Sequence, residues 1–250
     1  MKYLFAMVQC IIVLCSAAAF TAVAFEPVYD VYSYKQCNKN IKTANKMYRY
    51  PSYRINMLYF TSDHHFWHAN IIRYCKRPFG SVEEMNEALI AYWNETITNE
   101  DEVYYLGDFS LAARPVEIYT KRLNGIKYLI PGNHDFCHSY NKKTRSSENL
   151  TKWIKQYQDW GWIVLPEQMT LFLPEYGHIK LCHLPYTAFN AVEDKFAKWR
   201  PFNDESWLLC GHVHEKWKVS DKMINVGVDV WNFRPVSCEK IIQIMKIEQN

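Results

Sequence analysis

Five short polar segments carry residue types able to hold metal ions: Asp63-x-His65, Gly107-Asp108, Gly132-Asn133-His134-Asp135, His183, and Gly211-His212-x-His214. Imidazole nitrogen mixed with carboxylate and amide oxygen suits borderline divalent ions such as Mn, Fe, Zn or Ni, whereas an all-oxygen set points to Mg or Ca. One carboxylate lying between two such ions can bridge them. A pair of ions clamps the attacking and leaving oxygens of a phosphoryl displacement and lowers the pKa of a bound water. A lone strand-end histidine is more often a hydrogen-bonded structural residue than a ligand, so a metal site requires all five segments to converge.

Convergence is expected from the elements that precede them. Apolar runs of strand type at residues 58–61, 103–106, 127–130, 178–182 and 207–210 each end at one of the polar segments. In open α/β sheets the crevice beyond the carboxyl ends of strands is where ligands bind. Between these runs lie helical patterns. Ser81 and Glu84 form a capping box, and Val82, Met85, Leu89 and Tyr92 follow at spacings of three or four, which predicts a helix through Ile97. Pro115 precedes a second helical run over 116–123 that Gly125 closes, and Gly161 stops a third over 150–160. Further strands are predicted at 162–165, 169–173, 224–228 and 241–247. Early β/α alternation followed by a run of strands predicts a mixed sheet flanked by helices and continued by a mainly antiparallel sheet.

Taken in order, the five segments resemble the signature segments of the calcineurin-like metallophosphoesterases, and the resemblance spans residues 57–247. It implies an α/β fold, a four-layer α/β/β/α sandwich of two mixed β-sheets flanked by helices. It also implies two divalent metal ions, Mn favoured. By the resemblance, Asp63, His65, Asp108 and His214 would hold one ion and Asp108, Asn133, His183 and His212 the other, with Asp108 as the bridge. His134 would face the phosphate, stabilising developing charge or protonating the leaving oxygen. The fourth segment departs from the family pattern, because Cys182 stands where a glycine usually precedes the histidine.

The reaction implied is hydrolysis of a phosphoester with metal-bound hydroxide as nucleophile. A phosphodiester or nucleotide is the leading substrate class, with a nuclease as a narrower diesterase option. A phosphomonoesterase or phosphoprotein phosphatase is the alternative, and a catalytically silent scaffold on the same fold is the rival from another class. Residues 1–56 carry seven Lys/Arg against two Asp/Glu, which leaves 22 basic against 24 acidic residues downstream. A weakly acidic body lacks the basic footprint that long nucleic acid needs, so a small phosphorylated substrate is expected.

Other residues near the segments are read as follows. His64 is expected to be a solvated loop residue; His68 reaches the phosphate or caps a short helix; His138 and His178 are incidental. Arg73, Arg77 and Arg234 are candidates for a phosphate clamp. Asp229 would fix a loop beside the site, and Trp67, Trp231 and Tyr186 could form an aromatic rim.

Residues 1–25, with Lys2 followed by a nearly unbroken apolar stretch ending in small residues, read as a signal peptide or membrane anchor. Membrane contact would run through residues 4–25. Residues 26–56 read as a poorly ordered linker and 57–250 as the metallophosphoesterase domain. The eight cysteines include no C-x-x-C pair, and Cys182 and Cys210 end apolar runs as buried thiols do. That favours a reducing compartment, whereas the leader favours export; a start at Met57 would make the chain cytoplasmic without loss of any segment.

Overall fold

The computed structural model describes residues 56–144, 146–174, 176–188 and 194–248, so the expectations for residues 1–25 and the linker up to residue 55 lie outside the described residues. The first sheet is built from β1 (Leu58–Thr61), β2 (Glu102–Tyr105), β3 (Ile126–Leu129), β4 (Ile163–Val164) and, at its other edge, β10 (Val236–Ser237). Its order is β10-β1-β2-β3-β4, parallel throughout except for β10. The second contains β5 (Gln168–Leu173), β6 (Gly177–Cys182), β7 (Leu208–Cys210), β8 (Val219–Ser220) and β9 (Met223–Asn225), in the order β5-β6-β7-β9-β8.

Side-chain alternation along these strands sorts residues between two cores. Tyr59, Val103, Tyr105 and Leu129 point outward onto the helices, where they meet Met85, Leu89 and Trp93 of α2 (Val82–Thr96), Val116 of α3 (Ala113–Thr120) and Tyr157 of α4 (Ser147–Asp159). Phe60, Tyr104, Leu106 and Ile130 point the other way and meet Leu171, Ile179, Leu181, Leu209 and Ile224 of the second sheet. The chain thus forms the expected α/β arrangement of two mixed sheets flanked by helices. A smaller apolar cluster of Cys182, Leu184, Tyr186, Phe196, Leu208, Cys210 and Met223 backs the second sheet, with Trp199 of a short 3₁₀ turn against it.

The capping signal at Ser81 is realised, with its hydroxyl accepting from the Glu84 N–H at 3.1 Å. The Glu84 carboxylate reaches back to the Gly80 N–H at 2.7 Å rather than to Ser81. Two expectations are corrected. Residues 241–247 form no strand but most of helix α5 (Cys238–Ile247), whose Ser237 cap accepts from the Lys240 N–H. Ile241, Ile242 and Met245 recur at helical spacing and bury against the inter-sheet core. β-Branched composition favoured strand there, but cap and periodicity prevail. The second sheet is not mainly antiparallel either: β5–β6 and β8–β9 pair antiparallel, but β6–β7 and β7–β9 pair parallel. The connections after β6 and β7 are long enough for crossovers, which parallel pairing requires.

Candidate metal centre and cleft

The parallel strands β1, β2 and β3 and the parallel pair β6 and β7 run in register, so their carboxyl ends, and the loops that follow, meet at one place. There Asp63 and His65, Asp108, Asn133 and His134, His183, and His212 and His214 come together. Asp63, His65 and His214 offer ligand atoms all within 4.8 Å of one another, as do Asp108, His183 and His212. Asp108 sits among the rest: its Oδ2 lies 3.3 Å from His183 Nε2, 3.7 Å from His65 Nε2 and 3.9 Å from His134 Nε2.

The loops that carry these residues are tight. Asp63, His65, Asp108, His212 and His214 all have left-handed backbones, with φ between 49° and 71°. Non-glycine residues hold such angles only where the surroundings over-determine them. Here the determinants are visible. Asp63 N–H donates to the Gly107 carbonyl at 3.0 Å and His65 N–H to the Asp108 carbonyl at 3.2 Å. Asp135 accepts from the N–H groups of Asp108 and Gly132, both at 2.8 Å. Gly107 and Gly132 are required by proximity, since a Cβ on Gly107 would collide with the Gly132 backbone and one on Gly132 with the Asp108 carboxylate.

Hydrogen bonds decide which ring nitrogens face inward. His183 Nδ1–H donates to the Leu106 carbonyl at 2.7 Å, because a carbonyl only accepts, and this leaves Nε2 as the nitrogen facing Asp108. Asp229 does the same for His214, accepting from Nδ1–H at 3.1 Å. Asp63 accepts from the Ser62 hydroxyl at 2.6 Å and from the His212 N–H at 3.0 Å.

Charge is concentrated in this buried cluster. Burial depresses the His183 imidazole, and the Asp108 carboxylate more than reverses this, lifting it to about 9. His214 is likewise pulled down by burial but raised to about 11, chiefly by Asp229. Burial holds His212 down at about 3. For Asp108, burial works to raise the carboxyl and the surrounding imidazoles, His183 foremost, outweigh it and keep it well below the usual range. Asp135 is pushed up to about 7 by burial and by Asp108. Among the described residues, His65 Nδ1 and Nε2, Asn133 Oδ1 and His183 Nε2 are buried without any hydrogen-bond partner. Orphaned buried polar atoms demand a partner, and every one of these residues supplies a metal-donor atom, so the set fits divalent ions.

Several expectations change. His64 is not solvated but fully buried, its Nδ1 3.0 Å from the Tyr105 hydroxyl and its ring stacked against Phe66. Its place one residue before His65 at the start of a left-handed turn points it into the helix-side core. Arg77 is no phosphate clamp: its guanidinium forks onto Asp229 at 2.7 and 2.9 Å and also donates to the carbonyls of Asp63 and His64. Arg234 reaches Glu95 and the Tyr92 carbonyl, and Arg73 lies over the Tyr74 ring, with neither lining the cleft. Asp229 does fix the loop beside the site, through both Arg77 and His214. Trp67, Trp231 and Tyr186 form no rim. Trp231 donates to the Asn225 carbonyl and Tyr186 to the Ser206 carbonyl, while Tyr74 and Phe196 are the aromatic rings that border the cleft. His138 is buried, accepts from the Tyr140 N–H and faces the Glu167 carboxylate at 3.7 Å, outside both donor groups. Reading by residue type missed the supporting roles of Asp135 and Arg77; only the adjacency of Asp135 to Asn133-His134 hinted at the first.

Above the cluster opens a cleft of about 630 Å³, floored by His65, His134, His212 and His214. The His134 side chain is 46% exposed there, and its N–H donates to Asp108 Oδ1 at 2.8 Å.

With this geometry the similarities to known proteins agree. An uncharacterized protein of Methanocaldococcus jannaschii is 31% identical over 199 residues, covering 76% of this chain and 91% of its own. The gene 66 protein of mycobacteriophage L5 is 29% identical over 204 residues, covering 75% of this chain and 93% of its own. A protein of unknown function from Aquifex aeolicus, AQ665, shares the fold: its crystal structure superposes with a TM-score of 0.56 at 23% identity over 76% of this chain and all of its own. The calcineurin-like phosphoesterase family model matches residues 57–216, a span that contains all five polar segments. The chain belongs to the calcineurin-like phosphoesterases and is a metal-dependent phosphoester hydrolase.

Proposed function

We propose that this chain hydrolyses a phosphodiester or nucleotide-type substrate at a centre of two divalent ions, with Mn the favoured metal. The observation that carries the reading is that Asp63 with His65 and His214, and Asp108 with His183 and His212, each bring three ligand atoms within 4.8 Å of one another. Asp108 lies between the groups, its Oδ2 3.7 Å from His65 Nε2 and 3.3 Å from His183 Nε2, and would bridge the two ions, while Asn133, with its orphaned Oδ1, would complete the second set. Such ions, when bound, polarise the phosphoryl oxygens and acidify a coordinated water.

The chain's own residues do the rest. Leu106 and Asp229 hold His183 and His214 with Nε2 turned inward. Asp135 ties the Asp108 loop to the Gly132 loop, so two strands' donors keep one spacing. His134 is anchored through its backbone to Asp108 and leaves its ring at the cleft, where it would stabilise the phosphoryl charge and protonate the leaving oxygen. A cleft of about 630 Å³ leaves room for a second ester substituent, which favours a small diester over a monoester.

The test is metal counting on the full chain together with Mn-supplemented assays of mono- and diester model substrates. About two metals per chain and faster hydrolysis of diesters are expected. Less than one metal, or a consistent preference for monoesters, would overturn the dinuclear or the diester part. His134→Ala should keep its metal and lose turnover by roughly 10²- to 10⁴-fold, the usual worth of a positioned acid; full activity would remove His134 from the mechanism.

A further inference from the structure

His68 occupies the N-cap position of the short helix α1 (Ala69–Tyr74) yet makes no side-chain capping bond. Its backbone is held without its ring: the N–H donates to the His65 carbonyl at 3.0 Å, and its carbonyl accepts from Ile71 N–H at 3.0 Å. The imidazole is therefore free of any structural duty at the helix start. It borders the cleft with His65, His134 and Tyr74. Its ring centre lies 5.4 Å from that of His65, almost the same separation as His134 keeps at 5.5 Å. Tyr74 closes its outer side, edge to face at 6.1 Å. Within this setting His68 Nδ1 is buried and has no hydrogen-bond partner.

With Nδ1 withdrawn from water and no hydrogen bond made by either ring nitrogen, Nε2 is the atom the ring has left to offer a ligand in the cleft it borders. We infer that His68 is a second phosphoryl-contacting imidazole of this site, donating from its accessible Nε2–H to a non-bridging oxygen of the substrate while His134 serves the leaving-group side. The two rings flank His65 from different loops, so a phosphoryl group over the centre meets a donor from each. This rests on the phosphoesterase reading of the centre and adds to it a residue that no metal needs.

The experiment uses the full chain loaded with Mn²⁺ and inorganic phosphate as the probe, with His68→Ala and His68→Gln compared to wild type by calorimetry and metal counting. Because the ring bears no structural bond, both variants should keep wild-type melting behaviour and metal content. His68→Ala should bind phosphate about 10- to 100-fold more weakly, the worth of a hydrogen bond to a charged group. His68→Gln, which keeps an N–H donor, should recover part of that loss, and kcat/KM for a diester should follow the same order. Unchanged phosphate affinity in a metal-loaded His68→Ala protein would overturn this inference alone. Wild-type protein that takes up no Mn²⁺ and binds no phosphate would overturn the phosphoesterase reading and this inference with it.

Discussion

The two sheets contribute unlike halves to the centre. The first supplies Asp63, His65, Asp108 and Asn133 on loops locked by backbone hydrogen bonds and by the Asp135 carboxylate. The second supplies only histidines, and two of its three imidazoles are oriented by acceptors outside that sheet: His183 by Leu106 beyond β2, and His214 by Asp229, which is itself gripped by Arg77. His212 is held through its N–H by Asp63 and edge-on against Phe196. One half is thus fixed by its own main chain, and the other takes its geometry from across the sandwich. Losing an outer hydrogen-bond partner typically weakens metal binding by about 10- to 100-fold, so the asymmetry has measurable consequences.

The sharpest way to break the first half is Asp108→Asn. It removes a charge shared by both groups and should abolish stable loading of at least one ion, with turnover reduced by about 10³-fold or more, equivalent to several kcal/mol of transition-state stabilisation. Metal counting beside activity checks this; retained loading of two ions would refute the central position of Asp108.

Asp229→Asn tests the borrowed geometry of the second half. Metal affinity should fall by roughly 10- to 100-fold through His214 alone, leaving Asp108 and its neighbours intact. The same change leaves the buried Arg77 guanidinium without its counter-ion, so denaturant unfolding in chelator should show a loss of about 3–5 kcal/mol. A change in stability without a change in metal affinity would mean that Asp229 braces Arg77 and does not set His214.

The smallest effect is expected outside the centre, where Lys180 of β6 pairs with Asp204 at 2.8 Å. The Lys180 ammonium hydrogen-bonded to Asp204 lowers that carboxyl to about 2. A depressed carboxylate contributes stability above its unfolded value, near 4, and loses it as pH falls through about 2. The pair is largely solvent-screened, so Asp204→Asn should cost under about 1 kcal/mol at neutral pH, nothing below pH 2, and leave metal loading untouched. Urea melts across that range measure it. A large effect there would show that the second sheet depends on its surface as much as on the centre.

Much of this architecture was legible from residue types. The strand ends before the centre and the Ser81 cap followed from local pattern, because alternation and capping are properties of short stretches, whereas the set of eight polar residues came from the resemblance of five ordered segments to a family. His64 and Arg77 were misread for the complementary reason. Burial of His64 depends on Phe66, Trp93 and Tyr105 closing round it. The grip of Arg77 on Asp229 joins residues 152 positions apart, and nothing local announces either. The helix at 238–247 was misread because β-branched composition and helical periodicity coexist there, and only docking on the inter-sheet core selects between them.

Residue type and order along the chain mark which residues can bind metal and which elements carry them to one edge, since ligand chemistry and strand-end placement are local. Tertiary structure alone decided which nitrogen of each imidazole faces inward, which arginine braces instead of binding, and that His68 stands beside the cleft with an unpaired nitrogen. Ring orientation and the grip of Arg77 are set by hydrogen bonds between distant segments, and the place of His68 by how its loop packs beside the cleft, none of which exists until both sheets have packed.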